Sequence, residues 1–543
     1  MYRQVSDPLG HPALAALLAS TPLLVLLALL GVLRLKSHWA ALAGLATAFL
    51  IATAGYGMPL GQAADGALEG AAFGLFPIVW IILGAVWINR LQRASGHFDL
   101  IGRTFSALSD DVRVQAVLIA FCFGAMIESL SGFGTPIAVT SLILLGLGLD
   151  PLKAAAVAAF ANTAPAAFGS VGNPIQTLAK VTSLPGADLG AMVGRQSAVI
   201  AALVPFVLLL LLDGRRGLRE AWPVALVAGL GFAVGQFLCS NYLTYQLTDL
   251  AASLTSLAAV VLLLRVRARG RGRGGRGGVG RGTGGSGTGA SGAERAPRRE
   301  VLLAFLPYAV ITALFALVSY GGPIARFVKG RDVSFPWPGL HVVSATGRPV
   351  AVTTFDFGWL GAAGTLLLAT GVLTALALRV PPRRALRCYL DALHQIRWAA
   401  LTIACVLALS YLMNLSGMAF SIGAWLAGLG GAFALFSGFT GWFGVALTGS
   451  DTSSNALFGA MQVSAAQHIG LSPLLAAATT STGGVQGKAV AMQNLVIAAS
   501  AVGTYGREGE VLRRIIGWSL AVLTVLCLLA WLQSTPVLGW MVP

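Results

Sequence analysis

The sequence predicts an all-α, polytopic membrane protein. It has about twelve transmembrane helices plus two re-entrant hairpins, arranged as inverted repeats. Three observations carry that prediction. Of 543 residues, 56% are hydrophobic and only 10% charged, where a soluble chain carries about a quarter charged. Several apolar runs approach or exceed the roughly 20 residues that span a bilayer. And one phrase, GLxPLxAAA, occurs at Gly148 and again 322 residues later at Gly470.

The elements follow in order. Ala13–Leu33 is the first apolar run. No basic segment precedes it and no clear cleavage site follows, so it reads as a retained span and not a signal peptide. Lys and Arg gather in cytoplasmic loops, so the basic residues orient the rest. Arg34 and Lys36 fall inside, as do Arg90, Arg93, Arg103 and Arg113. Residues 114–149 must then enter and leave on one side, as a re-entrant hairpin. Residues 154–175 form a helix broken by Gly and Pro. Leu189–Leu212 completes a first repeat, 1–212. Two connecting helices fill 213–264, entered past Arg215, Arg216 and Arg219.

Residues 265–299 hold ten Arg and one Glu among many Gly. Such a segment cannot bury enough apolar surface to order itself, so it reads as a disordered cytoplasmic linker. A second repeat, 300–543, begins with Leu302–Val318 and Phe357–Leu378. It continues through a hairpin at 436–471 and a broken helix at 475–503, and ends with Trp518–Leu532. This walk puts 28 of the 36 basic residues inside. The exceptions lie mainly in the long loop 319–356, and both termini come out external. In "GQAADGALEGAAFG" (Gly61–Gly74), Asp65 and Glu69 read as the solvated face of an interfacial helix. The five Cys are scattered without CxxC spacing, so no disulfide, metal site or cofactor is expected.

The chemistry should lie where polar residues interrupt apolar ones. Two interruptions are "ESLSGFGTP" (Glu128–Pro136) and "GSDTSSNALFG" (Gly449–Gly459), which the 322-residue offset superposes. Two more follow them, "NTAPAAFGSVGNP" (Asn162–Pro174) and "TTSTGGVQGK" (Thr479–Lys488). Inverted repeats with broken helices and a polar site at mid-membrane are the pattern of secondary transporters. Broken backbone at membrane depth is tolerated only where protein buries it or a cavity meets it.

The expected substrate ligands are the side chains of Ser131, Thr135, Asn162, Thr163, Ser450, Thr452, Ser453 and Asn455, with the backbone at Gly132, Gly483 and Gly484. Ser454 belongs to the same polar run. An alternative for each hydroxyl is a bond to its own helix. Lys488, a buried ammonium, needs a partner. That partner is either a substrate carboxylate or one of Asp451 and Glu128. Those two carboxylates are the candidate proton-coupling sites, because burial in a low dielectric favours the protonated form. His468 reads as an interface residue.

The words "GSDTSSNALFGAMQ", "STGGVQGKAVAMQN", "GAMIESLSGFGTPIAV" and "ANTAPAAFGSVGNPI" resemble the bacterial L-lactate permease family. The likeness covers nearly the whole chain apart from the Arg/Gly linker. It implies proton-coupled symport of L-lactate, D-lactate and glycolate across the bacterial plasma membrane. It also implies an ion-transporter superfamily fold with paired hairpins, and a homodimer. Two other functions compete. A sodium-coupled di- or tricarboxylate symporter would want more basic residues in the core than Lys488 and, at a span end, Arg195. A membrane scaffold would use the basic linker to hold lipid or nucleic acid; the linker reads instead as a topology signal, with no nucleic-acid partner. An enzyme lacks support, since HExxH and GxSxG are missing.

Overall fold

A chain this apolar can satisfy its backbone in a bilayer only by bonding to itself, which selects helices. The computed structural model describes residues 1–543 except 6, 34, 98–99, 101–103, 105–107, 132–133, 275–296, 321, 345–349, 351–352 and 505. The first half runs α1 (Pro12–Gly31), α2 (Ser37–Leu50), α3 (Leu60–Phe73), α4 (Trp80–Ala94), α5 (Val112–Leu130), α6 (Thr135–Gly146), α7 (Pro151–Ala161) and α8 (Gly169–Thr182). Then come α9 (Gly186–Tyr242), interrupted at Asp213 and Gly214, and α10 (Thr248–Gly274). The second half runs α11 (Arg298–Tyr320), α12 (Pro323–Lys329), α13 (Ala363–Ala377), α14 (Pro382–Ser416), α15 (Met418–Leu426), α16 (Phe433–Thr448), α17 (Asp451–His468), α18 (Pro473–Val490), α19 (Met492–Ala501) and α20 (Glu508–Gln533).

By length and composition, ten helices among the described residues could cross a membrane, or eleven if the bent pair α7–α8 is one span. The expectation was about twelve spans plus two hairpins. The difference lies in how segments divide. Gly186–Tyr242 enters once although it bends at Asp213, α13 has only 15 residues, and Val112–Leu130 and Met418–Thr448 enter as spans although they overlap the expected hairpins.

Helix bounds recur at the spacing of the repeated phrase. Leu60–Ala94 and Pro382–Ser416 are each 35 residues long and lie 322 apart at both ends. The starts of α7 and α18 (Pro151, Pro473) and of α9 and α20 (Gly186, Glu508) differ by the same 322 residues. The cap chemistry repeats too. Asp150 accepts from the Lys153 N–H and Ser472 from the Leu475 N–H, each followed by proline at the first helical position, the preferred cap and entry residues.

Two large apolar clusters and two small ones form among the described residues. Of the large ones, one joins α1–α4 to α14, with Leu26, Phe73, Ile82 and Tyr411 inside it. The other joins α5–α7, α9, α10 and α20 around Phe121, Phe160, Phe232 and Leu523. Where α3–α4 crosses α14, Gly66, Gly70 and Gly74 face Leu415, Leu407–Ala408 and Ala404. Glycines four apart lie on one helix face and let backbones approach closely. This crossing corrects one sequence expectation. Glu69, beside Gly70, is fully buried and not part of a solvated face. The glycine stripe draws the helix onto α14 and takes Glu69 with it. Asp65 is half-buried.

Short strands tie the N-terminal end of the chain to the long loop, and the loop to itself. β1 (Tyr2–Arg3) pairs in parallel with β3 (Val342–Val343), and β2 (Val333–Pro336) pairs antiparallel with β4 (Thr354–Phe357). The Tyr2 hydroxyl donates to the Ser416 carbonyl at 2.9 Å and the Gln4 amide to that of Asn414 at 2.7 Å. The expected disordered linker, 265–299, differs at its start. Helix α10 carries on to Gly274, since arginine is a good helix former. Residues 275–296 of that linker lie outside the described residues.

Candidate functional site

Four local structures meet at one cavity of about 630 Å³. The first is the end of α5, which carries Glu128 and turns through Gly134, a left-handed residue (φ 77°), into α6. The second is the break that runs from the end of α7 into the first turn of α8. Ser170, Val171 and Gly172 all take left-handed backbone angles there, and for a β-branched valine such a conformation is a genuine outlier. It persists because the segment is wholly buried, with Gly172 against the Tyr245 ring. Sites that over-determine a strained backbone are commonly functional. The third is the turn from α16 to α17 through Gly449 (φ 73°). The fourth is the break at Ala491 between α18 and α19.

Each break leaves backbone groups to satisfy. The Asn494 amide donates to the Lys488 carbonyl at 2.9 Å. The Asn455 amide donates to the Pro174 carbonyl at 3.2 Å. Ser450 caps α17, accepting from the Ser453 N–H at 3.2 Å. Asn455 therefore joins the α17 turn to the α7–α8 break across 281 residues of sequence.

Lys488 Nζ lies 2.6 Å from Glu128 Oε1. The Asn162 amide donates to Glu128 Oε2 at 3.0 Å. The lysine and glutamate side chains are 9% and 3% exposed, so this is a desolvated pair. Such pairs break even only with good geometry and further hydrogen bonds, which Asn162 supplies. Asp451 is equally buried but has neutral partners. Ser481 Oγ donates to its Oδ2 at 3.1 Å, and Asn455 approaches the same oxygen at 3.5 Å. Among the described residues its Oδ1 has no hydrogen-bond partner, and neither does the Asn173 Oδ1. Both residues line the cavity.

Of the residues expected from sequence, Glu128, Ser450, Asp451, Thr452, Ser453 and Lys488 line this cavity. Asn162 and Asn455 stand behind it and hold the two carboxylates. Thr163 bonds to the Phe160 carbonyl at 2.8 Å, and Thr135 lines a different cavity. Gly483 and Gly484 do not open the helix, because α18 runs unbroken from Pro473 to Val490. A side chain at Gly483 would strike the Gly438 backbone, and one at Gly484 would strike Asp451. The two glycines let α16 and Asp451 approach α18. Gly132 and the Ser131 side chain lie outside the described residues. The Arg195 guanidinium bonds to Asn241 and to the Met541 carbonyl.

Sequence reasoning missed Asn173, Gln493 and Asn494, which follow the two breaks and face or flank the cavity. An asparagine close after each break, in "GNP" (172–174) and "MQN" (492–494), was the available signal. It also missed the opposite wall, Lys36–Trp39 of α2 and Trp398–Ile403 of α14. There His38 stacks on Trp398 with ring centres 4.5 Å apart. Nothing in the sequence of the α2 start or the middle of α14 pointed inward.

Long apolar helices, broken around a cavity that holds a buried ion pair and a second carboxylate, define a multi-pass membrane protein of the transporter class. The chain belongs to the L-lactate permease family, whose family model matches residues 15–537. It is 37% identical over 556 residues to the glycolate permease GlcA of Escherichia coli (strain K12), covering 100% of this chain and 99% of that one. It is 37% identical to the L-lactate permease of the same strain and 34% to that of Bacillus subtilis (strain 168), each over 100% of both chains. Among solved structures it is similar to the Alcanivorax borkumensis YdaH transporter, at 14% identity and TM-score 0.44 over 96% of this chain and 98% of that one. Neisseria gonorrhoeae MtrF matches with 13% identity and TM-score 0.41 over 84% and 81%.

Proposed function

We propose that this protein imports L-lactate and related 2-hydroxy monocarboxylates, including D-lactate and glycolate, together with a proton. The relatives' names supply the substrate class. The observation that carries the mechanism is the buried Lys488–Glu128 pair with Asp451 beside it. With all three groups ionised the site holds one lysine charge against two carboxylates. That net negative charge repels an incoming anion. When Glu128 takes a proton, Lys488 loses its partner and turns to the substrate carboxylate. The proton and the anion together replace one half of an ion pair, so the net charge of the site is the same empty and loaded. Transport is then electroneutral and coupled through Lys488. Hydroxyls of Ser450, Thr452 and Ser453 and the Asn173 amide meet the substrate's 2-hydroxyl.

The movement is alternating access between inverted repeats. Three features support it: the 322-residue recurrence of helix bounds, the packing of α8 on α17 with α19 on α6, and the basic-residue orientation. The α8–α17 and α19–α6 pairs exchange roles between the halves, as a pseudo-two-fold axis in the membrane requires. The cavity wall at Lys36 lies next to a loop assigned inside, so this conformation reads as open to the cytoplasm.

Labelled L-lactate uptake into proteoliposomes tests the proposal. An inward proton gradient should drive accumulation, with D-lactate and glycolate competing and membrane potential without effect. Uptake that requires sodium and follows voltage would overturn it.

A further inference from the structure

A second cavity, of about 980 Å³, lies beside the transport site. One wall comes from the end of α4 and the start of α14. It presents Arg90, Arg93, Arg383, Arg384 and Arg387 against a single carboxylate, Asp391. The facing wall is the hairpin itself, Gly134 and Thr135, with Ile497 of α19. Gly134 lines both cavities. Arg90 is anchored, bonding to Gln395 Oε1 at 2.8 and 3.0 Å and lying 3.6 Å from Asp391. Arg383, Arg384 and Arg387 are exposed, and none makes an ion pair or side-chain hydrogen bond among the described residues. Three unpaired guanidiniums around one space match a phosphoryl group, which their forked donors grip in pairs.

We propose that this cavity binds the headgroup of an anionic phospholipid of the cytoplasmic leaflet, and that the bound lipid supports transport by joining the arginine wall to the hairpin. The helix surface below the arginines selects a lipid over a free anion. Residues 383, 386, 390 and 393 fall on one stripe of α14. After Arg383 that stripe carries Leu386, Leu390 and Leu393, which are 58%, 55% and 47% exposed. Phosphate at Arg383, which borders that stripe, would lay acyl chains along these leucines for about 10 Å of helix, while Arg384 and Arg387 meet the headgroup from the adjoining face. Basic cavities between helix ends on the cytoplasmic side are suited to such headgroups. The proposal takes from the transport reading the orientation that puts these arginines inside and, for its second test, the uptake assay; lipid retention depends on neither the substrate nor the coupling ion.

Two measurements on the full chain test it. Native mass spectrometry reads phosphatidylglycerol retained by the purified protein, and this readout survives even if lactate is not the substrate. Each arginine near an anionic lipid contributes about fivefold in affinity. The triple variant Arg383→Gln, Arg384→Gln, Arg387→Gln should therefore lose retention by on the order of a hundredfold. A control carrying Arg215→Gln, Arg219→Gln and Arg513→Gln removes equal charge far from the cavity and should retain lipid. Uptake is then compared in vesicles of phosphatidylcholine alone and with phosphatidylglycerol. The anionic lipid should raise the wild-type rate severalfold and leave the triple variant unchanged. Equal retention by the triple variant, or equal loss in the control, overturns the proposal. So does a wild-type rate that responds to inorganic phosphate and not to phosphatidylglycerol.

Discussion

The two turns that meet at the cavity, at Gly134 in the first half and Gly449 in the second, hold their carboxylates differently: Glu128 precedes its turn and Asp451 follows its own. Glu128 faces a lysine at 2.6 Å and an asparagine at 3.0 Å. Asp451 faces a serine and an asparagine, at 3.1 and 3.5 Å, and leaves one oxygen without a partner among the described residues. The first carboxylate is locked to the other half of the molecule by charge. The second is held within its own half by neutral donors, at the start of helix α17, whose N-terminal dipole favours a negative group. Repetition thus built two similar frames, and a single lysine divided the work. On the proposed mechanism, coupling belongs to the half whose partner can be exchanged for a substrate.

The largest way to break this asymmetry is Lys488→Ala. It leaves Glu128 buried without a counter-charge, a loss of about 3–5 kcal/mol, and it removes the substrate's cation. Uptake should fall to background and the detergent-solubilised protein should melt earlier. The double variant Glu128→Gln, Lys488→Gln removes both charges and should recover much of the stability while staying inactive. A double variant as unstable as the single one would mean that the pair is not what Lys488 contributes. Next in size is Glu128→Gln. Lactate counterflow between loaded vesicles should persist, because Lys488 is free to bind. Accumulation driven by a proton gradient should disappear. A variant that still accumulates lactate against its gradient would move the coupling site to Asp451.

Much of this frame was legible in the sequence, for definable reasons. Helices announce themselves by apolar length, and the two turns by polar residues that a bilayer does not tolerate without purpose. The GLxPLxAAA phrase carried the 322-residue spacing that the helix bounds share. Which polar residue faces the cavity was less legible. Gly483 and Gly484 suggested a break but serve as clearance for α16 and Asp451, because a helix glycine has the same letter in both roles. Glu69 suggested a solvated face, because only the opposing α14 shows that Gly66, Gly70 and Gly74 press inward. The wall at His38 and Trp398 was invisible, since its residues come from helices whose pattern records lipid and not substrate.

A smaller perturbation separates the two carboxylates by steric means. A methyl group at Gly169 would lie 2.6 Å from Glu128 Oε1, closer than real side chains come, while leaving Asp451 untouched. Gly169→Ala should push the carboxylate off Lys488 and lower proton-driven uptake about tenfold, the size of effect expected when one buried charged contact is weakened by about 1.4 kcal/mol. Its melting temperature should drop by less than that of Lys488→Ala. Unchanged uptake would show that the 2.6 Å ion pair is not needed in that geometry.

The smallest expected effect falls on the other side of the comparison. Asp451→Asn keeps the shape and both hydrogen bonds, since its neighbours Ser481 and Asn455 can pair with an amide oxygen as well as with a carboxylate. What it removes is one negative charge from a cavity that receives an anion. Repulsion across a site hydrated nearly as well as bulk water is worth about 1 kcal/mol, so KM for lactate should fall by at least about two- to fivefold. The maximal rate under a proton gradient should change little, because no partner exchange depends on this carboxylate. Uptake measured over a range of lactate concentrations reads both quantities at once. A lost gradient response with unchanged KM would reverse the assignment. It would make Asp451 the proton carrier and reduce the Lys488–Glu128 pair to a strut between the two halves.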